Sequence, residues 1–154
     1  MSRGIRIALL LAAVVVGYWV YRSCTREDDE QLRAIIQEMA AAAEARDTSR
    51  FVKHFSSQYQ DSHGNGYFFI LQMVKRIFEE VDELEVKVED LNVVVAGDEA
   101  FVTLSVMTEA RRQGQILHPF GREDYPEQPR LTFKKERLGW RIVRVEGVER
   151  AGVE

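Results

Sequence analysis

The pattern of apolar and polar positions changes character twice along this chain. From Ile5 to Tyr21 it is almost uniformly apolar, with only Arg6 interrupting near the start. From Leu32 the apolar residues recur at helical spacing: Leu32, Ile35, Ile36, Met39, Ala40 and Ala43. This predicts a helix from about Glu27 to Arg46, with Arg33, Gln37 and Glu44 toward water. Thr25-Arg26-Glu27-Asp28 has the form of a loose capping box with acids in the first turn. The small residues between Met39 and Ala43 permit close packing against a sheet. A short second helix is predicted from Thr48, burying Phe51, Val52 and Phe55. A third is predicted from about Tyr67 to Glu80, facing inward with Phe68 or Phe69, Leu71, Val74, Ile77 and Phe78. Between them, Ser56 to Gly66 forms a connection marked by Gly64 and Gly66.

From Leu84 the period falls to two. Leu84, Val86 and Val88 share one face of a strand. Leu91, Val93 and Val95 share a face on the opposite parity, so a β-bulge is predicted near Glu89-Asp90. Ala96-Gly97-Asp98-Glu99 is a hairpin turn. Ala100, Val102, Leu104 and Val106 form one face of the return strand, with Phe101, Thr103 and Met107 on the other. The segment from Arg112 to Pro129 holds Pro119, Pro126 and Pro129, which exclude a continuous central strand. It reads as a long loop with a short edge strand near Ile116-Leu117. Two more strands follow: Arg130 to Arg137, with Leu131 and Phe133 inward, and Trp140 to Glu146, with Trp140, Ile142 and Val145 inward, joined at Leu138-Gly139. The class is α+β: three helices packed in a strongly curved antiparallel sheet of about four strands, preceded by a single hydrophobic helix.

Ile7 to Tyr21 carries no charge. A secretory signal and a short membrane span both have this form, and Arg3 and Arg6 suit either as a basic flank. The run ends in Tyr18, Trp19 and Tyr21 followed by Arg22, an aromatic belt and a stop. That ending favours an uncleaved anchor. Tyr21-Arg22-Ser23-Cys24 does not suit lipoprotein cleavage. Arg3, Arg6 and the free amine precede the span, and Arg22 and Arg26 follow it. The balance tips toward a cytoplasmic N-terminus, placing the domain on the periplasmic or outer side of the inner (cytoplasmic) membrane. The expected division is an anchor over residues 1–24, a domain over 25–148 and a frayed tail over 149–154. Cys24 would lie beside the membrane, open to an intermolecular disulfide or a lipid, or simply an idle thiol.

Composition narrows the function classes. The chain has 154 residues, 45% hydrophobic and 30% charged, with a net charge of −4, which is ordinary for a globular domain. No basic stripe points to nucleic acid. One cysteine excludes an internal disulfide, and no His/Cys cluster has metal-ligand spacing. No cofactor is implied.

With these elements in order, the chain resembles the nuclear transport factor 2-like superfamily, the SnoaL-like or cystatin-like α+β cone. The residues that carry the likeness are Phe55-x-x-x-Tyr59-x-Asp61-x-x-Gly64, the bulged strand Val86 to Val95, and the turn Gly97-Asp98-x-Ala100-x-Val102. The closing strands add Leu131-Thr132-Phe133-x-Lys135 and Gly139-Trp140-Arg141-Ile142-Val143. The likeness runs from about Glu27 to Gly147. It implies fold rather than activity, because the superfamily hosts isomerases, dehydratases, cyclases, carriers and structural modules.

Asp61 is the sharpest catalytic candidate. Asp61-Ser62-His63-Gly64 is similar to the loop carrying the proton-shuttling aspartate of the steroid isomerase branch. A carboxylate at the lip of an apolar pocket moves protons when its pKa is raised. That branch also uses a tyrosine and a neutral acid as oxyanion donors; Tyr59, Tyr67 and Tyr125 are candidates, and no second acid is evident. The plain alternative is that Asp61 caps its turn. His63 is a candidate base or pH switch, or a solvated turn residue. His54 is expected on the surface, and His118 has no evident partner. Phe51, Phe55, Tyr59, Tyr67, Phe68, Leu71, Phe133 and Trp140 are the candidate lining of a cavity, with ordinary core as the alternative. Lys75-Arg76, Arg111-Arg112 and Lys134-Lys135 with Arg137 are outward basic groups, solvated or in contact with anionic lipid headgroups.

Three functions follow. The first is a membrane-anchored, non-catalytic envelope domain acting in protein interaction or scaffolding, with a partner or second copy meeting the sheet face. Its plan is similar to that of inner-membrane scaffold subunits of type IV secretion systems. The second binds a hydrophobic small molecule or lipid in the cone. The third is an isomerase- or dehydratase-like enzyme using Asp61.

Overall fold

In a computed structural model of the chain, residues 3–148 are described, with side chains from Ile7 onward. The expected tail 149–154 and the side chains of Arg3 and Arg6 lie outside the described residues. The elements are α1 (Arg3–Glu44), α2 (Thr48–Val52), α3 (Tyr67–Glu80), β1 (Glu83–Ala96), β2 (Glu99–Arg112), β3 (Gln115–Leu117), β4 (Arg130–Glu136) and β5 (Gly139–Glu146). The class is α+β, as expected.

The apolar run and the first amphipathic helix are one continuous helix. Thr25 to Asp28 caps nothing: it lies in mid-helix, with the Thr25 hydroxyl donating back to the Tyr21 carbonyl at 2.9 Å. The physical reason is that no glycine or proline lies between Gly17 and Gly64, so nothing breaks the intrahelical ladder. The helix stops where Arg46 takes a φ of 54° and the Asp47 N–H turns back to the Ala42 carbonyl at 2.9 Å. Asp47 then caps α2, its Oδ1 accepting from the Arg50 backbone N–H at 3.0 Å.

The sheet is antiparallel in the order β1-β2-β4-β5, with β3 paired to β2 beyond the end of β4. β1 and β2 pair along their whole length, broken between Glu89 and Asn92. Asp90 sits there with a φ of 51°, and its Oδ2 accepts from the Ser105 hydroxyl at 3.1 Å. The bulge flips the parity of β1, so that Leu84, Val86 and Val88 before it and Leu91, Val93 and Val95 after it all pack toward the core. The bend wraps the sheet around α1 and α3. Leu32, Val102, Phe133, Trp140 and Ile142 are the centre of the core.

The proline-bearing loop is stitched to β2 rather than loose. Val106 and Glu127 exchange backbone hydrogen bonds at 2.8 and 3.0 Å, and Thr108 Oγ1 bonds both the N–H and the carbonyl of Phe120. His118 does have a partner, its Nδ1 lying 2.7 Å from the Thr108 carbonyl. This loop lies along the second half of β2, where Met107 and Thr108 are buried and Ala110 belongs to the main core. Gly121 permits the approach: at a φ of 62°, a Cβ would collide with the Val106 carbonyl.

Candidate functional site

The connection from His54 to Gly66 runs beside β5. Ile142 N–H donates to the His54 carbonyl at 2.8 Å, Ser56 N–H to the Ile142 carbonyl at 2.9 Å, and Gln60 N–H to the Val143 carbonyl at 3.1 Å. This pairing extends the sheet and fixes where each candidate side chain falls.

Phe55, Phe133 and Trp140 belong to the packed core, and Phe51 and Leu71 lean against it. Phe51 meets Phe78 edge-on at 5.8 Å between ring centroids, and Phe55 meets Tyr59 at 5.2 Å. Tyr67 and Phe68 line an open groove of about 620 Å³, with Phe69, Ser57, Gln58, Gln60 and Gly66, and Tyr59 belongs both to the core and to the wall of this groove. A smaller depression of about 300 Å³ lies among Tyr125 to Gln128 and Gly147.

The face of α3 is rotated from the expected one. Ile70, Val74 and Phe78 are buried, while Phe68 is 77% and Phe69 46% exposed. With about 100° per residue, Phe68 lies roughly a third of a turn off the stripe centred on those three.

Asp61 is held by its own loop. Its Oδ1 accepts from the backbone N–H groups of His63 and Asn65, and its Oδ2 from the Asn65 side-chain amide, each at 2.8 Å. Desolvation pushes the carboxyl up. The Asn65 and His63 donors together outweigh it, and the pKa falls below the usual carboxylate value. An ionised turn-capping carboxylate results, the reverse of a primed proton carrier. His63 is exposed. Tyr59 is 3% exposed, and burial, followed by the charge of Asp61, pushes its phenol up to about 12. Among the described residues no cluster of three or more His, Cys, Asp or Glu side chains is arranged to hold a metal ion.

Three features were missed by sequence reasoning. His54 is buried, not surface: its pairing with β5 draws it in, and neither ring nitrogen has a partner. Burial, then the charges of Lys53 and Arg141, lowers its pKa to about 4. Ser56, fully buried, donates its hydroxyl to Glu136 across the base of the β4–β5 hairpin at 2.5 Å. Asp28 is buried on α1, where its Oδ1 accepts from Lys135 Nζ at 2.7 Å and from the Trp140 indole N–H at 3.1 Å. Only Asp28 left a trace in the sequence, as an acid in register with Leu32, Ile36 and Met39 on the apolar stripe.

No protein-family model matches the chain, and no curated protein does. Solved structures do. A candidate scytalone dehydratase from Novosphingobium aromaticivorans aligns with a TM-score of 0.68 at 12% identity, over 86% of this chain and 99% of its own. A nuclear transport factor 2-like superfamily protein from Salmonella enterica serovar Typhimurium aligns at 0.67 with 18% identity, over 84% and 96%. The fold is the nuclear transport factor 2-like cone. The Bd1075 protein of Bdellovibrio bacteriovorus aligns at 0.62 with 13% identity over 76% of this chain, which spans 40% of that structure. At these identities the likeness to the cone carries fold and no chemistry.

α1 adds what the cone lacks. Its N-terminal part is long and apolar enough to cross a membrane, and every described side chain from Ile7 to Cys24 is exposed.

Proposed function

We propose that this chain is a membrane-tethered, non-catalytic module of the cell envelope that works by contacting another protein. The observation that carries this reading is the filled cone: Phe133, Trp140 and Ile142 are at most 1% exposed, so aromatic bulk occupies the interior. What is left is an open groove rimmed by two solvent-facing phenylalanines on a domain whose first helix continues into an apolar span. The arginine balance around the span supports the periplasmic or outer side of the cytoplasmic membrane.

The groove also supports a second reading, in which it takes a small apolar molecule, since about 620 Å³ is within the range of ligand sites. The dehydratase likeness supports an enzyme less well, because Asp61 is held ionised by three donors.

A photo-crosslinking residue in place of Phe68, in cells of the native host, tests the first reading. A discrete covalent adduct with a protein in the membrane fraction is expected. Absence of that adduct, together with an apolar mass bound to the detergent-solubilised chain in native mass spectrometry, would replace it with the second. Asp61→Asn is expected to leave either activity unchanged.

A further inference from the structure

The direction of the elements places one end of the domain against the anchor. The Val86 N–H donates to Glu44 of α1 at 3.2 Å and Arg33 of α1 donates to the Leu91 carbonyl at 3.2 Å, so β1 runs toward the N-terminal end of α1. β4 runs the same way, both being antiparallel to β2, and its Lys135 N–H meets the Asp98 carbonyl of the β1–β2 turn at 2.7 Å. Both hairpin turns, Gly97-Asp98 and Arg137-Leu138, are therefore at the end from which the apolar part of α1 emerges. Asp28 clamps this end to α1 through Lys135 and Trp140, which are register partners at the base of the β4–β5 turn.

That turn carries Leu138, 82% exposed, the most exposed large apolar side chain described. Its level can be set against the span. Asp28 lies about two helical turns beyond Tyr21, roughly 10 Å at 1.5 Å per residue. The turn projects beyond the Lys135–Trp140 pair by about two strand residues, roughly 7 Å back toward the span. With Trp19 and Tyr21 at the interface, Leu138 falls within the headgroup layer, which is about 5–8 Å deep on each side. Arg137 is beside it and exposed; of the acids at this end, Asp28 is engaged by Lys135 and Trp140 and Glu136 by Ser56, while Asp98 in the adjoining β1–β2 turn and Glu27 on α1 also face this corner.

We propose that the β4–β5 turn is a lipid-contacting element, with Leu138 seated among the headgroups of the membrane that α1 crosses and Arg137 meeting lipid phosphate. Asp28 is the positioning residue that holds the turn there. The membrane is thus both tether and docking surface, and the domain has one fixed pose on it, with the β2–β3 turn at Gln113 pointing away. This rests on the reading of α1 as a membrane span.

The test uses the full chain with Cys24→Ser and single cysteines introduced by Leu138→Cys, Gln113→Cys or Val16→Cys. Each carries an environment-sensitive fluorophore. The proteins are reconstituted in vesicles of phosphatidylethanolamine and phosphatidylglycerol with nitroxide lipids. The probe at 138 is expected to lose emission to a headgroup nitroxide, the probe at 113 to keep it, and the probe at 16 to lose it to an acyl-chain nitroxide. Adding Asp28→Ala to the 138 variant should restore part of its emission while leaving 16 quenched. A probe at 138 as bright as that at 113, with 16 quenched, overturns the lipid contact and spares the anchor. A probe at 16 that escapes quenching overturns both.

Discussion

The two halves of α1 are one helix with two side-chain patterns. From Ile7 to Cys24 every side chain is exposed and nearly all are apolar. From Asp28 to Ala43 the buried positions are a stripe, Asp28, Leu32, Ile36, Met39, Ala42 and Ala43, with charged residues around it. The backbone is the same, so only the side-chain pattern distinguishes a helix whose partner is a sheet from one whose partner is lipid. Exposure alone does not: on the first half it leaves an almost wholly apolar surface uncovered, and on the second it falls on polar residues and alanines.

The sharpest way to break the comparison is to truncate an equivalent leucine in each half. Leu32→Ala opens a hole in the packed half and should cost about 2–5 kcal/mol, read as a fall in the denaturation midpoint of the detergent-solubilised chain. Leu11→Ala should leave that midpoint unmoved. A charge reverses the pattern: Val14→Arg should cost the span about 2.5–3.5 kcal/mol of insertion, read as a shift from alkali-resistant membrane to supernatant. If the domain's midpoint also fell with Val14→Arg, the halves would not be independent.

Much of this was legible because it was local. The bulge at Asp90 showed as a change of parity in β1, and α3 runs between the residues that its pattern marked. The prolines of the 112–129 segment ruled out a central strand, although its bonds to Val106 and Thr108 had no local signature. What failed was set by distant partners or by phase. The continuity of α1 was obscured because Thr25 to Asp28 serves equally as a cap or as helix interior. The burial of His54 depends on β5, far along the chain. The exposure of Phe68 depends on which face of α3 meets the core, the one bearing Ile70, Val74 and Phe78, and that is decided by the elements packed against it. In the candidate site, Asp61 was legible as a loop carboxylate. Its lowered pKa was not, because that comes from Asn65 and the backbone conformation.

Acid should separate the halves again. His54 is held to a pKa of about 4 in the folded chain, against 6.5 ordinarily. Between those values the unfolded chain binds a proton that the folded chain refuses. Stability from this group is therefore complete above about pH 6.5 and is lost as pH falls toward 4, by about 2–3 kcal/mol. Glu38, held down to about 2 by Arg50 and then Lys53, acts in a lower window, below 4.5. The span has no titrating side chain between Ile7 and Val16, so its helicity should persist while the domain melts. Midpoints measured from pH 7 to pH 4 check this, and His54→Leu should flatten the upper part of the slope.

The smallest effect belongs to the joint between the halves. Asp28→Ala leaves the buried Trp140 indole N–H without an acceptor and Lys135 without its partner, at a cost of about 1–3 kcal/mol. Lys135 is half exposed and can turn to water, so most of that cost should come from the indole. Asp28→Asn then discriminates: its amide oxygen still accepts from the indole, and only the charge facing Lys135 is lost, so it should recover most of the stability. Hydrogen exchange gives the local reading. Amides from Thr25 to Gln31 should exchange faster in Asp28→Ala, while those around Met39 keep their protection. Loosening that spread evenly along α1 would mean that the helix answers to one environment rather than two, with no boundary at Asp28.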